Sequence, residues 1–91
     1  MGKKIIKFGA DWCQPCHILD KTLDEINKER PIEIEKVDAE YPNWRDANLI
    51  ETYKIKSIPV MLFMDGEELL ERIEGNISKT EIIKRLDNFK F

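Results

Sequence analysis

The chain has little of what small folds use as fasteners. Its 91 residues include two cysteines, one histidine, four glycines and four prolines. Those three Cys and His side chains fall short of the four ligands a structural zinc requires, and two cysteines make no disulfide scaffold. The longest apolar run, Ile58 to Met64, is far too short to span a bilayer and contains Pro59. Met1 to Lys7 carries basic residues but no apolar core of the length a secretory leader needs, so a reducing cytoplasmic compartment is expected. No basic cluster interleaved with aromatics occurs, and mixed charges sum to −3. Neither nucleic acid nor a membrane is therefore expected as a partner. With 42% hydrophobic and 36% charged residues, the chain reads as globular rather than disordered. There are no repeats, linkers or low-complexity segments, and the length suits one domain over residues 1–91, expected to be a monomer.

Apolar spacing sets out the elements. Lys3 to Gly9 reads as a short strand through Ile5, Ile6 and Phe8. From Cys13 the period changes: Cys16, Leu19, Leu23 and Ile26 recur at spacings of three and four, one face of a helix that Pro31 ends near Glu29. Ile32, Ile34 and Val37 mark a second strand closing at Asp38, with Lys36 and Asp38 left in solvent. Tyr41-Pro42-Asn43 is a turn that can cap a second helix, whose inward side is expected to be Trp44, Ala47, Ile50 and Tyr53. Ile58 to Met64 is a third strand, apolar almost throughout, as when both sheet faces are covered. Asp65-Gly66 signals a hairpin into a fourth strand, Glu68 to Glu74. Ser78-Lys79-Thr80-Glu81 forms a capping box flanked by Ile77 and Ile82 as a hydrophobic staple. The last helix then presents Ile82, Leu86 and Phe89 on one side. The order is β-α-β-α-β-β-α, an α/β fold.

The informative feature is the run Ala10-Asp11-Trp12-Cys13-Gln14-Pro15-Cys16-His17. A disulfide between Cys13 and Cys16 would close so small a loop that the chain-entropy model credits it with only about 2 kcal/mol. It would tie together nothing that is not already adjacent, so the pair reads as a dithiol that opens and closes. Exchange needs one attacking thiolate and a second thiol that releases the mixed disulfide. Cys13, at a helix start, meets unpaired N–H groups and the positive end of the helix dipole. Cys16, one turn inward, fits the resolving role. Lowering a thiol pKa from about 8.5 to about 7 raises its thiolate fraction at neutral pH roughly 16-fold. A Brønsted slope near 0.5 returns about 5-fold of that as lost nucleophilicity, leaving a gain of about 3-fold. Positioning must supply the rest, and Pro15 helps by fixing φ in a first helical turn.

Trp12-Cys13-x-Pro15-Cys16 resembles the active-site motif of the thioredoxin family, with Gln14 where glycine is usual. Lys36-Val37-Asp38 resembles the end of that family's central strand. Ser57-Ile58-Pro59 resembles its cis-proline loop, and Asp65-Gly66 followed by Gly75 its terminal hairpin. The likeness covers almost the whole chain in the correct order. It implies a thioredoxin-like fold, a four-stranded mixed sheet flanked by three helices. It also implies a cis Ile58–Pro59 bond facing the cysteines, and a shallow groove edged by Trp12, Ile58, Pro59 and Gly75 in which an extended substrate pairs with backbone. The activity implied is reduction of protein disulfides, with Cys13 attacking, Cys16 resolving, and an external reductase or thiol pool (thioredoxin reductase or the glutathione system) resetting the pair. No cofactor is implied, since the chain carries no nicotinamide or flavin motif.

Departures from that family's pattern matter. The chain starts at the strand leading to the motif, giving a glutaredoxin-sized core. Lys7 occupies the position of a buried aspartate that exchanges protons with the resolving cysteine. It reads either as an exposed strand residue or as a group beneath the cysteines. His17 stands where a lysine is usual and is expected to face solvent. Lys54 replaces a common glycine, and Tyr41 to Asp46 is a few residues longer than usual. Cys13-Gln14-Pro15-Cys16-His17 also satisfies a haem-attachment pattern, but Met61 and Met64 lie on an expected core strand and are unavailable as axial ligands. Two other readings stay open. One is a glutathione-dependent, glutaredoxin-like enzyme, although those place proline directly after the first cysteine. The other is a binding module whose dithiol is incidental.

Overall fold

Strand β1 (Lys3–Gly9) is an inner strand of the sheet, buried from Ile5 to Gly9, with Ile5 on one face and Ile6 and Phe8 on the other. A computed structural model describes residues 2–91; Met1, the first residue of the N-terminal stretch read above, lies outside them. Helix α1 (Gln14–Glu29), β2 (Ile34–Asp38), α2 (Trp44–Thr52), β3 (Val60–Asp65), β4 (Glu68–Glu74) and α3 (Lys79–Asn88) follow in order. The sheet has four strands in the order β2-β1-β3-β4. β1 pairs parallel with β2 and antiparallel with β3, and β3 pairs antiparallel with β4.

Strand alternation divides the core between the two faces. Ile5, Met61 and Phe63 pack with Leu19, Leu23 and Ile26 of α1 and with Ile82 and Leu86 of α3. Ile6, Phe8, Val60, Leu62 and Met64 face the other way, against Leu49, Ile50 and Tyr53 of α2. By the same period of two, Lys7 and Gly9 share the α1 side with Ile5. That placement decides what lies beneath the cysteines.

Three expectations need correction. β3 starts at Val60 rather than Ile58, because the chain first passes through the Ile58–Pro59 bond, which is cis, and Pro59 has no N–H for the ladder. Trp44 is 81% exposed, and Ala47 is exposed too. Asn43 caps α2, so Trp44 is its first residue, half a revolution from Tyr53 on the inward face; Leu49, Ile50 and Tyr53 make the contact instead. The capping box of α3 is half formed. Ser78 accepts from the Glu81 N–H at 3.2 Å, while the Glu81 carboxylate turns to Arg85 at 2.7 Å.

Both α2 and α3 end in the same way. Ile55 N–H donates to Ile50 C=O and Lys54 N–H to Glu51 C=O; Phe91 N–H donates to Leu86 C=O and Lys90 N–H to Asp87 C=O. This is the Schellman arrangement, which needs a left-handed residue and favours glycine there. Here lysines fill it, Lys54 at φ 50° and Lys90 at φ 59°. A side chain in that region is disfavoured by about 1 kcal/mol. Lys54 is exposed, so Lys54→Gly is expected to stabilise the fold by up to about 1 kcal/mol, read as a higher urea midpoint at unchanged slope. A lower midpoint would show that the lysine is not strained.

Candidate active site

The turn after β1 brings the cysteines over the sheet. Cys13 N–H donates to Ala10 C=O at 3.1 Å, and Ala39 N–H beyond β2 donates to Gly9 C=O at 2.8 Å. Cys13 is the N-cap of α1, its sulfur accepting from the Cys16 N–H at 3.3 Å. One of the unpaired N–H groups of the first turn is thus already aimed at this sulfur, a geometry that favours a thiolate there. Cys13 and Cys16 are joined as a disulfide, with Cα atoms 5.2 Å apart. Cys13 keeps 4% of its surface and Cys16 1%, packed with Ala10 and Ile58. Of the two residues, the one at the helix end is the less enclosed. Gln14 and Pro15 are exposed in the first turn, and the Pro15 carbonyl accepts from Asn76 Nδ2 at 3.1 Å.

Ile58 lies against the cysteines through the cis bond to the buried Pro59. Gly75, in the positive-φ region at 85°, donates its N–H to the Pro59 carbonyl at 2.8 Å and so fixes the turn beyond β4 beside that loop. Trp12 is 68% exposed, and its indole N–H donates to Glu40. The same carboxylate raises the Tyr41 phenol above its ordinary range, first through a hydrogen bond and then through its charge. Between these walls lies a cleft of about 290 Å³ lined by Ala10, Trp12, Glu40, Ile50, Ile55 and Ile58 among others. Mostly apolar, it sits beside the disulfide.

Beneath the disulfide the chemistry changes. Lys7 is 5% exposed, and its ammonium stands 2.7 Å from Asp20 Oδ1 on α1. That oxygen is sealed from solvent and lies outside hydrogen-bond geometry with any described donor, so charge rather than alignment holds the pair. Removing one partner of a buried pair leaves an uncompensated charge, which costs about 3 kcal/mol. Lys36 is exposed, as expected, and from there its ammonium lies 3.9 Å from the same carboxylate and 3.6 Å from Asp24.

A family model described as Thioredoxin matches residues 2–88. The chain belongs to the thioredoxin family. It is 35% identical over 85 residues to a thioredoxin of Buchnera aphidicola subsp. Acyrthosiphon pisum, covering 91% of this chain and 75% of that protein. It is 33% identical over 87 residues to a chloroplastic M-type thioredoxin of Triticum aestivum, covering 93% of this chain and 47% of that protein. Among solved structures, oxidised thioredoxin O2 of Arabidopsis thaliana superposes with a TM-score of 0.76 at 20% identity, covering 94% of this chain and 73% of that one. A mutant thioredoxin of Halobacterium salinarum superposes at 0.82 with 18% identity, covering 96% and 74%. These two likenesses concern the fold, which is thioredoxin-like.

The chain is accordingly a thiol–disulfide oxidoreductase with a CxxC redox centre, a disulfide reductase that uses protein disulfides and draws on a reductase partner. The thioredoxin-like geometry brings Trp12, Cys13, Cys16, Ile58, Pro59 and Lys7 to one end of the sheet. His17 faces solvent, its Nε2 2.5 Å from the Asp11 carbonyl oxygen. Sequence reading missed Asp20, Gly9, Glu40 and Asn76. Asp20 had one available signal: it stands four residues after Cys16 and so lies on the same side of α1. No helix among the described residues is long and apolar enough to cross a membrane.

Proposed function

We propose that this chain, acting as a single-domain monomer in the cytoplasm, reduces exposed disulfides in other proteins. Cys13 thiolate attacks one sulfur of the substrate disulfide, forming a mixed disulfide and expelling the first substrate thiolate. Cys16 thiolate then attacks Cys13 Sγ, closing the Cys13–Cys16 disulfide and expelling the second. Two electrons pass from the dithiol to the substrate, and both leaving thiolates take protons from solvent. The observation that carries this assignment is the pairing of roles with position: the Cys13 sulfur caps the helix and accepts a backbone N–H, while Cys16 is enclosed one turn inward. Such a sulfur attacks first and the enclosed one second.

Substrate lies across Trp12, Ile58, Pro59 and Gly75, an apolar side chain entering the cleft beside Trp12. Among the described residues the Ile58 backbone makes no backbone hydrogen bond, which leaves it free to pair with an extended segment. A thioredoxin reductase or a glutathione pool resets the pair. Gln14 and Pro15 shape the first helical turn, and His17 at its rim adds positive charge when protonated.

Insulin reduction with dithiothreitol as electron source is the test. Chain precipitation well ahead of dithiothreitol alone is expected; equal rates from a folded, reducible protein would overturn the assignment and favour a binding role. Supplying NADPH with a thioredoxin reductase, or glutathione with its reductase, in place of dithiothreitol identifies the recycling system.

A further inference from the structure

We infer that Asp20 is a positioning residue of this chain: it holds the Lys7 ammonium beneath Cys16, and that ammonium promotes ionisation of the resolving thiol. The inference deepens the dithiol cycle proposed above and rests on it. The usual family arrangement places a carboxylate under the resolving cysteine; this chain has the opposite charge there and draws its carboxylate from the helix instead.

Geometry carries the argument. A Cβ built on Gly9 would lie 2.8 Å from Lys7 Nζ, 3.1 Å from Cys16 Cβ and 3.2 Å from Cys16 Sγ. Ammonium and sulfur are therefore no more than about 6 Å apart, with Gly9 beside them. An opposite charge at that range, shielded from water, favours the ionised thiol. Any side chain at position 9 would take the space both groups use. Asp20 compensates the enclosed Lys7 charge at 2.7 Å; a lone ammonium so enclosed would be costly. Lys7, Gly9 and Asp20 line a cleft of about 220 Å³ that also meets Asp11, His17, Lys36 and Asp38. Of these, Asp38 is occupied by the Glu40 and Tyr41 N–H groups at 2.9 and 3.1 Å, and Lys36 is shared between Asp20 and Asp24. His17 points at the Asp11 carbonyl. Lys7 is thus the cation directly under the sulfur, and the Cys16 proton passes to solvent.

The resolving step can be isolated. One equivalent of Ellman's reagent, with its symmetrical disulfide, converts reduced protein to the Cys13–thionitrobenzoate mixed disulfide. Cys16 thiolate then closes the Cys13–Cys16 bond and releases a second thionitrobenzoate, whose rate against pH follows ionisation of Cys16. In Lys7→Met the rate at neutral pH is expected to fall about tenfold and the profile to move up by about one pH unit, converging with wild type in alkali. Asp20→Asn should move it the same way, and in the Lys7→Met background should add no further upward shift. The double variant keeps no enclosed charge, so it tests the inference even where a single variant unfolds. Superimposable profiles, an equal slowing at every pH, or an opposite shift in Asp20→Asn would overturn it. Wild type that releases no second thionitrobenzoate would instead refute the dithiol cycle.

Discussion

Cys13→Ser abolishes catalysed insulin reduction, with a loss on the order of 10³-fold or more to the rate of dithiothreitol alone. Serine keeps the cap geometry, since its hydroxyl can accept the Cys16 N–H as the sulfur does, so folding is retained. What is lost is a nucleophile that ionises near neutral pH. Cys16→Ser is equally inactive in turnover but for a different reason. Its Cys13 still attacks, and the mixed disulfide then persists because no neighbouring thiol displaces the substrate. The pair of variants is read by mass spectrometry after quenching: a substrate adduct on Cys13 in Cys16→Ser, and none in Cys13→Ser. Adducts on Cys16 in the Cys13→Ser protein at comparable rate would reverse the two roles.

The largest effect on stability is expected from Phe63→Ala. Phe63 is fully buried on β3, on the face covered by α1 and α3. Its ring centroid lies 6.2 Å from that of Phe89 and 5.8 Å from that of Phe91, the second nearly edge-on. Truncation removes the ring's burial and leaves a cavity that backbone paired on both sides cannot collapse, a loss of about 3–5 kcal/mol. Domains of this size hold about 5–15 kcal/mol in total, so the variant is brought near its unfolding threshold. At about 4–8 °C per kcal/mol, the midpoint should drop by about 15 °C or more. A loss under about 1 kcal/mol would mean that the C-terminal aromatics repack over the gap.

The residues that wrote the fold most plainly were those whose burial follows a local period. Cys16, Leu19, Leu23 and Ile26, closed by Pro31, place α1 within its observed bounds, Gln14–Glu29. Asp65-Gly66 and the Ser78 cap mark β4 and α3 equally well. Local pattern failed where a tertiary fact decides. Ile58 looks like strand, but its bond to Pro59 turns the chain before the ladder begins. Trp44 looks like an anchor because it is large and apolar, yet a residue at a helix's first position faces wherever the cap aims it. At the site, the motif from Trp12 to Cys16 was legible because its members are adjacent. The pairing of Lys7 with Asp20 was not, since it joins a strand to a helix across a turn and Asp20 alone reads as surface charge.

Alkylation of the reduced, native protein by limiting iodoacetamide at neutral pH, followed by peptide mapping, tests the attacking sulfur directly. The adduct should sit on Cys13, with Cys16 protected until the protein is denatured. Modification of Cys16 first, or of neither sulfur while the protein stays reduced and folded, would contradict the account.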